Sequence, residues 1–202
     1  MEKSLQTSVV AFVLLALIFS GVARAEVPKE LGTFSYWKTY QLTEGTRQIC
    51  YMSITASPPI GKVKGKKARR GDVVLMITHR PGEGSTDVVS YTPGAKFKSS
   101  KEVVAKIGKN SFSLFTQADM AWARDAATDH ALSLALRGGE QVTFHGTLAS
   151  GDSLAETINL KGSNKAYETI SRACDVQIAP LPTSRRESPT KKSTSKSKIK
   201  KQ

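Results

Sequence analysis

Histidines, cysteines and clustered acids are the side chains from which a catalytic or metal site is built, and this sequence has few of them. Cys50 and Cys174 are its two cysteines. Without a supporting histidine cluster they do not make a tetrahedral zinc site. Three histidines, His79, His130 and His145, are spaced so that none lies two or four residues from another. No cysteine or carboxylate cluster surrounds them, and ordinary hydrogen-bonded or surface roles account for them. No Gly-x-Ser-x-Gly elbow is present to hold a strained serine nucleophile. Asp119, Asp125 and Asp129 fall close together around Trp122. Such a group could hold a sugar or a cation, but acids so placed more often cap turns and a helix start. Arg70-Gly71-Asp72 spells the tripeptide that integrin-type receptors read, although Gly71 and Asp72 also suit a turn leading into a strand. No catalytic residue, metal ligand or cofactor is expected on these grounds.

Charge is more informative. The 202-residue chain carries a formal +13. One basic group, Lys62, Lys64, Lys66, Lys67, Arg69 and Arg70, follows Pro58-Pro59 and is broken by Gly61 and Gly65. Glycine and proline at that density predict a loop, and six like charges predict an extended one. These six residues form a candidate anion-binding patch. A second basic run begins at Pro180 and holds Arg185, Arg186, Lys191, Lys192, Lys196, Lys198, Lys200 and Lys201 against Glu187. With almost no apolar side chains, residues 180–202 are read as a disordered tail. Either segment suits salt-sensitive attraction to anionic lipid, lipopolysaccharide or an acidic glycan, or serves only to keep the chain soluble.

The first residues point to export. Lys3 precedes an apolar run from Val9 to Phe19, and Ala23-Arg24-Ala25 supplies small residues at the two cleavage positions. The run is shorter than the roughly 20 apolar residues a membrane span needs. A signal peptide over residues 1–25 is therefore expected, with a domain over 26–179 and no transmembrane span after cleavage. In an oxidising compartment an even cysteine count suggests one disulfide, Cys50 to Cys174. Export also argues against nucleic acid as the polyanion, so the partner is an unidentified envelope or host component. The expected location is the periplasm, the outer membrane or the exterior.

The elements that would position these residues are mostly short strands. Phe34 to Tyr40, Gln48 to Thr55, Asp72 to Thr78 and Asp87 to Thr92 carry β-branched and aromatic residues, with a turn at Pro81-Gly82-Glu83-Gly84. Glu102–Ile107 with Ser111–Thr116, and Gln141–Leu148 with Leu154–Leu160, read as hairpins. Thr128–Arg137 reads as a helix with a Thr-Asp start, stopping at Gly138-Gly139. Ser163–Cys174 reads as a second, capped by Ser163, with Ala166, Tyr167, Ile170, Ala173 and Cys174 on one face. The pattern predicts a mainly β single domain: a β-sandwich or open barrel with one or two short helices, the last pinned by a disulfide.

Several blocks then align in order with a known family. They are Trp37, Ile49-Cys50-Tyr51-Met52, Arg70 through Pro81, Val88-Val89-Ser90, Phe112 through Thr116, Ala121 through Asp125, and Lys161-Gly162 followed by Ala166 through Ile170 and Cys174. On these the chain resembles the invasion-associated locus B family of exported Gram-negative proteins. Many relatives have a cysteine where this chain has Tyr40. The resemblance implies a compact β domain of the envelope, with a part in host-cell entry in some members. It carries over no catalytic residue. The expected function is thus an exported, non-enzymatic binding, host-interaction or envelope-maintenance factor. The alternative is a periplasmic sugar-binding module or hydrolase using the acids near Trp122.

Overall fold

Alternation of apolar and polar side chains builds most of this molecule. A computed structural model describes residues 26–56, 62–63, 66–67 and 70–182, with residues 62–63 and 66–67 described by backbone alone. The expected leader, residues 1–25, lies outside the described residues, as does the expected tail from residue 183. The strands are β1 (Lys29–Phe34), β2 (Trp37–Glu44), β3 (Arg47–Ala56), β4 (Lys62–Val63), β5 (Lys66–Lys67), β6 (Val73–Arg80), β7 (Ser85–Thr92), β8 (Val103–Ile107), β9 (Asn110–Gln117), β10 (Met120–Trp122), β11 (Gln141–Thr147) and β12 (Ser153–Asn159). Two helices follow the same pattern at longer period: α1 (Ala126–Gly138) and α2 (Ser163–Ala173).

The strands form one open antiparallel sheet in the order β1-β2-β3-β6-β7-β10-β9-β8-β11-β12-β4-β5. Along β6, every second residue from Val73 to His79 is buried, as period two requires. The sheet is strongly curled. Tyr91 on β7 and Phe144 on β11 are four strands apart in that order, which on a flat sheet is about 19 Å. Their rings nevertheless stack with centroids 3.8 Å apart. The inner face so enclosed holds Met52, Leu75, Ile77, Val89, Val103, Leu114 and Leu154. The two helices close the rest of that face, α1 lying on β7 and α2 on β1, β2 and β3. The mainly β class with two helices, the last one tied by a disulfide, is as expected, and of the two expected architectures the single curled open sheet is nearer the open barrel than the sandwich.

Four local expectations are corrected. The stretch read as one strand from Phe34 to Tyr40 is broken at Ser35-Tyr36, where Ser35 takes φ +57° and the chain turns from β1 into β2. The basic segment read as an extended loop contributes two short strands, β4 and β5, paired with each other and with β12 at Leu154 and Ala155. Strand β10 was not foreseen; it is three residues long and lies between β7 and β9. Finally, α2 is capped by Gly162, not by Ser163. Gly162 has φ +92°, and a Cβ there would lie 2.3 Å from the Phe34 carbonyl oxygen, so only glycine fits. The Ser163 hydroxyl instead donates to the Leu136 carbonyl (2.9 Å), satisfying an acceptor left open near the end of α1.

Candidate functional site

The disulfide forms as expected. Cys50 on buried β3 bonds to Cys174, the residue that ends α2, with Cα atoms 6.0 Å apart. Both are buried. The link closes a separation of 124 residues. In the chain-entropy account such a loop is worth about 4 to 5 kcal/mol.

Beside it lies a buried polar cluster whose centre is Asp87. The β6–β7 pairing loses register between Thr78 and Arg80, and Asp87 sits in that bulge at φ +63°. A bulge re-aims one side chain, and here it turns a carboxylate into the fold. One Asp87 oxygen accepts from the Tyr167 hydroxyl of α2 (2.6 Å) and the Ser133 hydroxyl of α1 (3.3 Å). The other lies 2.7 Å from Nδ1 of His130. Asp87 is 4% exposed, so these partners replace water. The Asp87 backbone N–H donates to Nδ1 of His79 (3.1 Å), and His79 Nε2 faces the Ser171 hydroxyl at 3.1 Å. Arg137 stacks over the Tyr167 ring at 4.2 Å and donates to Asn164 and to the Ala179 carbonyl.

Serine, histidine and aspartate therefore meet, but the protons run against a triad. A backbone amide can only donate, so His79 Nδ1 accepts and the ring proton is on Nε2. His79 then donates to Ser171 instead of taking its proton, the reverse of what an activated nucleophile needs. Burial drives the His79 imidazole below its ordinary range, overriding the opposing pull of the Asp87 charge, so it stays neutral. Burial likewise pushes the Tyr167 phenol up to about 12, reinforced by its bond to Asp87. The cluster fastens β6, β7, α1 and α2 to one another.

A groove of about 450 Å3 runs past this cluster between residues 84–88 and 123–130. His130, Asp125 and Asp129 line it. Asp125 caps α1, accepting from the Thr128 N–H (2.8 Å). Asp129 accepts from the Val89 N–H (2.9 Å), completing β7 where β10 has ended. Burial, with the Asp87 and Asp125 charges, pushes the Asp129 carboxyl up to about 6. Trp122 is not in this groove. Its indole packs against Phe115 at 5.6 Å, while Asp119 stands in the β9–β10 turn. The grouping of three acids around Trp122 is thus dispersed, because β10 alternates Ala121 inward and Trp122 outward.

The basic patch divides as well. Lys62, Lys66 and Lys67 lie in β4 and β5; their side chains, and all of Lys64 and Arg69, are outside the described residues. Arg70 does not belong with them. Its guanidinium is buried against Glu156 of β12 and donates to the Pro93 carbonyl (2.8 Å). Side chains of both partners are 1% exposed, so Arg70-Gly71-Asp72 does not present its arginine. Gly71 is itself tied to Gly94, its N–H donating to that carbonyl (2.8 Å). Sequence reasoning missed Asp87, Glu156 and Tyr167. An acid amid the alternating strand β12, where Glu156 takes an inward place, was the one available signal for a buried ion pair.

With Arg70 internally matched, the charge separates. Residues 26–56 and 70–182 hold fifteen Lys and Arg against fifteen Asp and Glu. The whole excess lies outside them, fifteen basic residues against Glu2 and Glu187. Among the described residues, no helix is long and apolar enough to cross a membrane.

Comparison with known proteins gives three findings. The family model described as Invasion associated locus B (IalB) protein matches residues 37–171. No curated protein matches. Among solved structures, the chain is similar to invasion associated protein B of Bartonella henselae, at 14% identity over 74% of this chain and 99% of that one, with a TM-score of 0.47.

Proposed function

The chain belongs to the invasion associated locus B family, and from that premise we propose that it is an exported, non-enzymatic binding protein of the cell envelope. The observation that carries the reading is the segregation of charge. Residues 26–56 and 70–182 balance at zero net charge, and the positive excess falls on 57–69, which includes strands β4 and β5, and on 183–202. Surfaces of balanced charge are weakly drawn to polyanions, whereas a run of lysines is drawn strongly, in a salt-dependent way. Lys62, Lys64, Lys66, Lys67 and Arg69 with the C-terminal run then attract anionic lipid, lipopolysaccharide or an acidic glycan. The disulfide supports an oxidising location in the periplasm, at the outer membrane or outside it. The buried hydrogen bonding of His79, Asp87 and Ser171 supports a structural role for the residues that otherwise suggest hydrolysis.

Adsorption to vesicles containing anionic lipid, and separately lipopolysaccharide, tests this. Binding at low salt should fall at least about tenfold when residues 183–202 are removed or when the five basic residues become Gln, and should fall again at 0.3 M salt. Equal binding by all forms rejects the electrostatic reading. Thiol alkylation of the exported protein should label neither Cys50 nor Cys174 until reductant is added; labelling without reductant rejects the oxidising location.

A further inference from the structure

We propose that the outer side of strands β8, β11, β12, β4 and β5 is the face with which this protein lies against an anionic membrane surface. The proposal rests on the reading above that anionic envelope surfaces attract the chain, and it names the side of the fold that meets them. Burial fixes which side is outer. Val103, Ala105, Val142, Phe144, Leu154 and Ile158 are buried, so the residues that alternate with them face away from the core. Register then sets those residues in rows, because residues directly opposite share a face. One row is Lys106, Thr143 and Thr157. The next is Val104, His145 and Ala155, and pairing carries it on to the positions of Lys62 and Lys67. A third begins where Phe97 bridges to Leu148. Phe97 is buried and the exposed Lys96 and Lys98 flank it, Lys98 donating its backbone N–H to the Thr147 carbonyl (2.9 Å).

The zero balance of residues 26–56 and 70–182 is an average over unlike regions. Residues 93–118 hold Lys96, Lys98, Lys101, Lys106 and Lys109 against one acid, Glu102. Glu102 is already occupied, accepting from Ser113 and from Arg124 (2.6 Å). No outward position of β8, β11 or β12 carries an acid, since Glu156 is turned inward to Arg70. The compensating acids gather elsewhere, with Asp87, Asp125 and Asp129 lining the groove beside α1. Charge sorted in this way orients a molecule near a charged surface as well as attracting it. Relief decides between a surface and a small ion. Thr143, Ala155 and Thr157 are short, so Lys96, Lys98 and Lys106 surround a low floor. Five adjacent strands at about 4.8 Å spread the rows across about 19 Å. A single phosphate is held by donors converging within about 3 Å of its oxygens, and these lysines are spread apart. A plane of lipid headgroups instead offers a separate phosphate to each lysine. Strands β4 and β5 extend the same sheet, so the basic segment over 57–69 adjoins this face.

Adsorption of the full exported chain to phosphatidylcholine vesicles containing about one-third phosphatidylglycerol tests the proposal. Lys96→Gln, Lys98→Gln and Lys106→Gln together should weaken binding at least about tenfold, since each basic residue near an anionic surface contributes about fivefold. Lys29→Gln, Lys38→Gln and Lys165→Gln remove the same charge from exposed positions on β1, β2 and α2, and together should weaken it less than about threefold. A polarity-sensitive dye on Thr157→Cys should shift to the blue on binding, and the same dye on Thr33→Cys, exposed on β1, should not. An intact Cys50–Cys174 bond with unchanged circular dichroism verifies each fold. Equal losses in the two triple variants overturn the proposal and leave the attraction to net charge. A loss seen only on removing residues 183–202 also overturns it and gives adsorption to the tail. Displacement by inorganic phosphate at matched ionic strength overturns it in favour of a small-anion site. If the parent itself does not adsorb, the reading of an anionic partner falls and the proposal falls with it.

Discussion

Removing one oxygen atom from Tyr167 tests whether the Asp87 cluster holds the two helices to the sheet. Tyr167→Phe keeps the ring, its edge contact with His79 at 5.2 Å and its place under Arg137. It deletes the hydroxyl that donates to Asp87 at 2.6 Å. Asp87 is 4% exposed, and Tyr167 1%, so water does not readily replace the lost donor. A hydrogen bond to a charged acceptor is worth about 1.5 to 3 kcal/mol, and leaving a buried acceptor short of a partner adds to that. We expect a loss of about 2 to 3 kcal/mol. With a urea slope near 2 kcal/mol per molar, the midpoint should fall by about 1 to 1.5 M at unchanged slope. Ser133→Ala removes a longer bond to the same oxygen, 3.3 Å, and should cost about 1 kcal/mol or less. Tyr51→Phe, on the half-buried outer face, should cost close to nothing. The assay is urea unfolding at pH 7.5 with the disulfide intact, followed by tryptophan fluorescence. If Tyr167→Phe costs no more than Tyr51→Phe, the reasoning fails: Asp87 would then be solvated, not clamped.

Two further outcomes follow from buried charge. Glu156→Gln should destabilise by about 3 to 5 kcal/mol, because it strands the Arg70 guanidinium, whereas Arg70→Met with Glu156→Leu should recover most of that loss; equal losses in both variants would refute the pairing argument. Asp129 has a carboxyl raised to about 6, so its contribution is fully present below the ordinary carboxylate range near 4 and is lost as pH rises through 6. Asp129→Asn keeps an acceptor for the Val89 N–H and avoids the buried charge. It should match the parent at pH 4 and exceed it by about 1 kcal/mol at pH 8, a figure discounted because the carboxylate lines an open groove. Parallel stability curves of the two proteins across that range would disprove the shift.

Much of the fold was legible because strands advertise themselves by alternation. The hairpins on either side of Gly108-Lys109 and of Ala149–Asp152 and the helix ending at Gly138 were all readable from period and turn residues. The cysteine pair needed only a compartment. What was illegible has a common cause, which is that pairing across the fold leaves no local mark. Arg70 stands in a run of lysines and reads as one more exposed cation. Its partner Glu156 is 86 residues away, and only the return of β12 beside that segment reveals the match. Asp87 reads as the polar start of a strand, and its inward turn depends on a bulge that β6 and β7 create together. Trp122 with its nearby acids shows that neighbours in sequence need not be neighbours in space: Asp125 caps a helix start and Asp119 stands in a turn, as acids so placed most often do, while a strand sends Trp122 outward.

The same pairings bear on what the protein can touch. Polar groups on the inner side are used up in holding elements together: Asp87 binds both helices, Asp129 completes β7, and Glu156 neutralises Arg70. Outside contact is left to surfaces such as the groove between residues 84–88 and 123–130 and, on the proposed reading, to the basic segments over 57–69 and 183–202. Salt weakens attraction between such segments and an anionic surface. If raising salt to about 0.5 M releases the chain from anionic vesicles, basic residues carry the adsorption; if the chain stays bound, the attraction is not electrostatic and that reading fails.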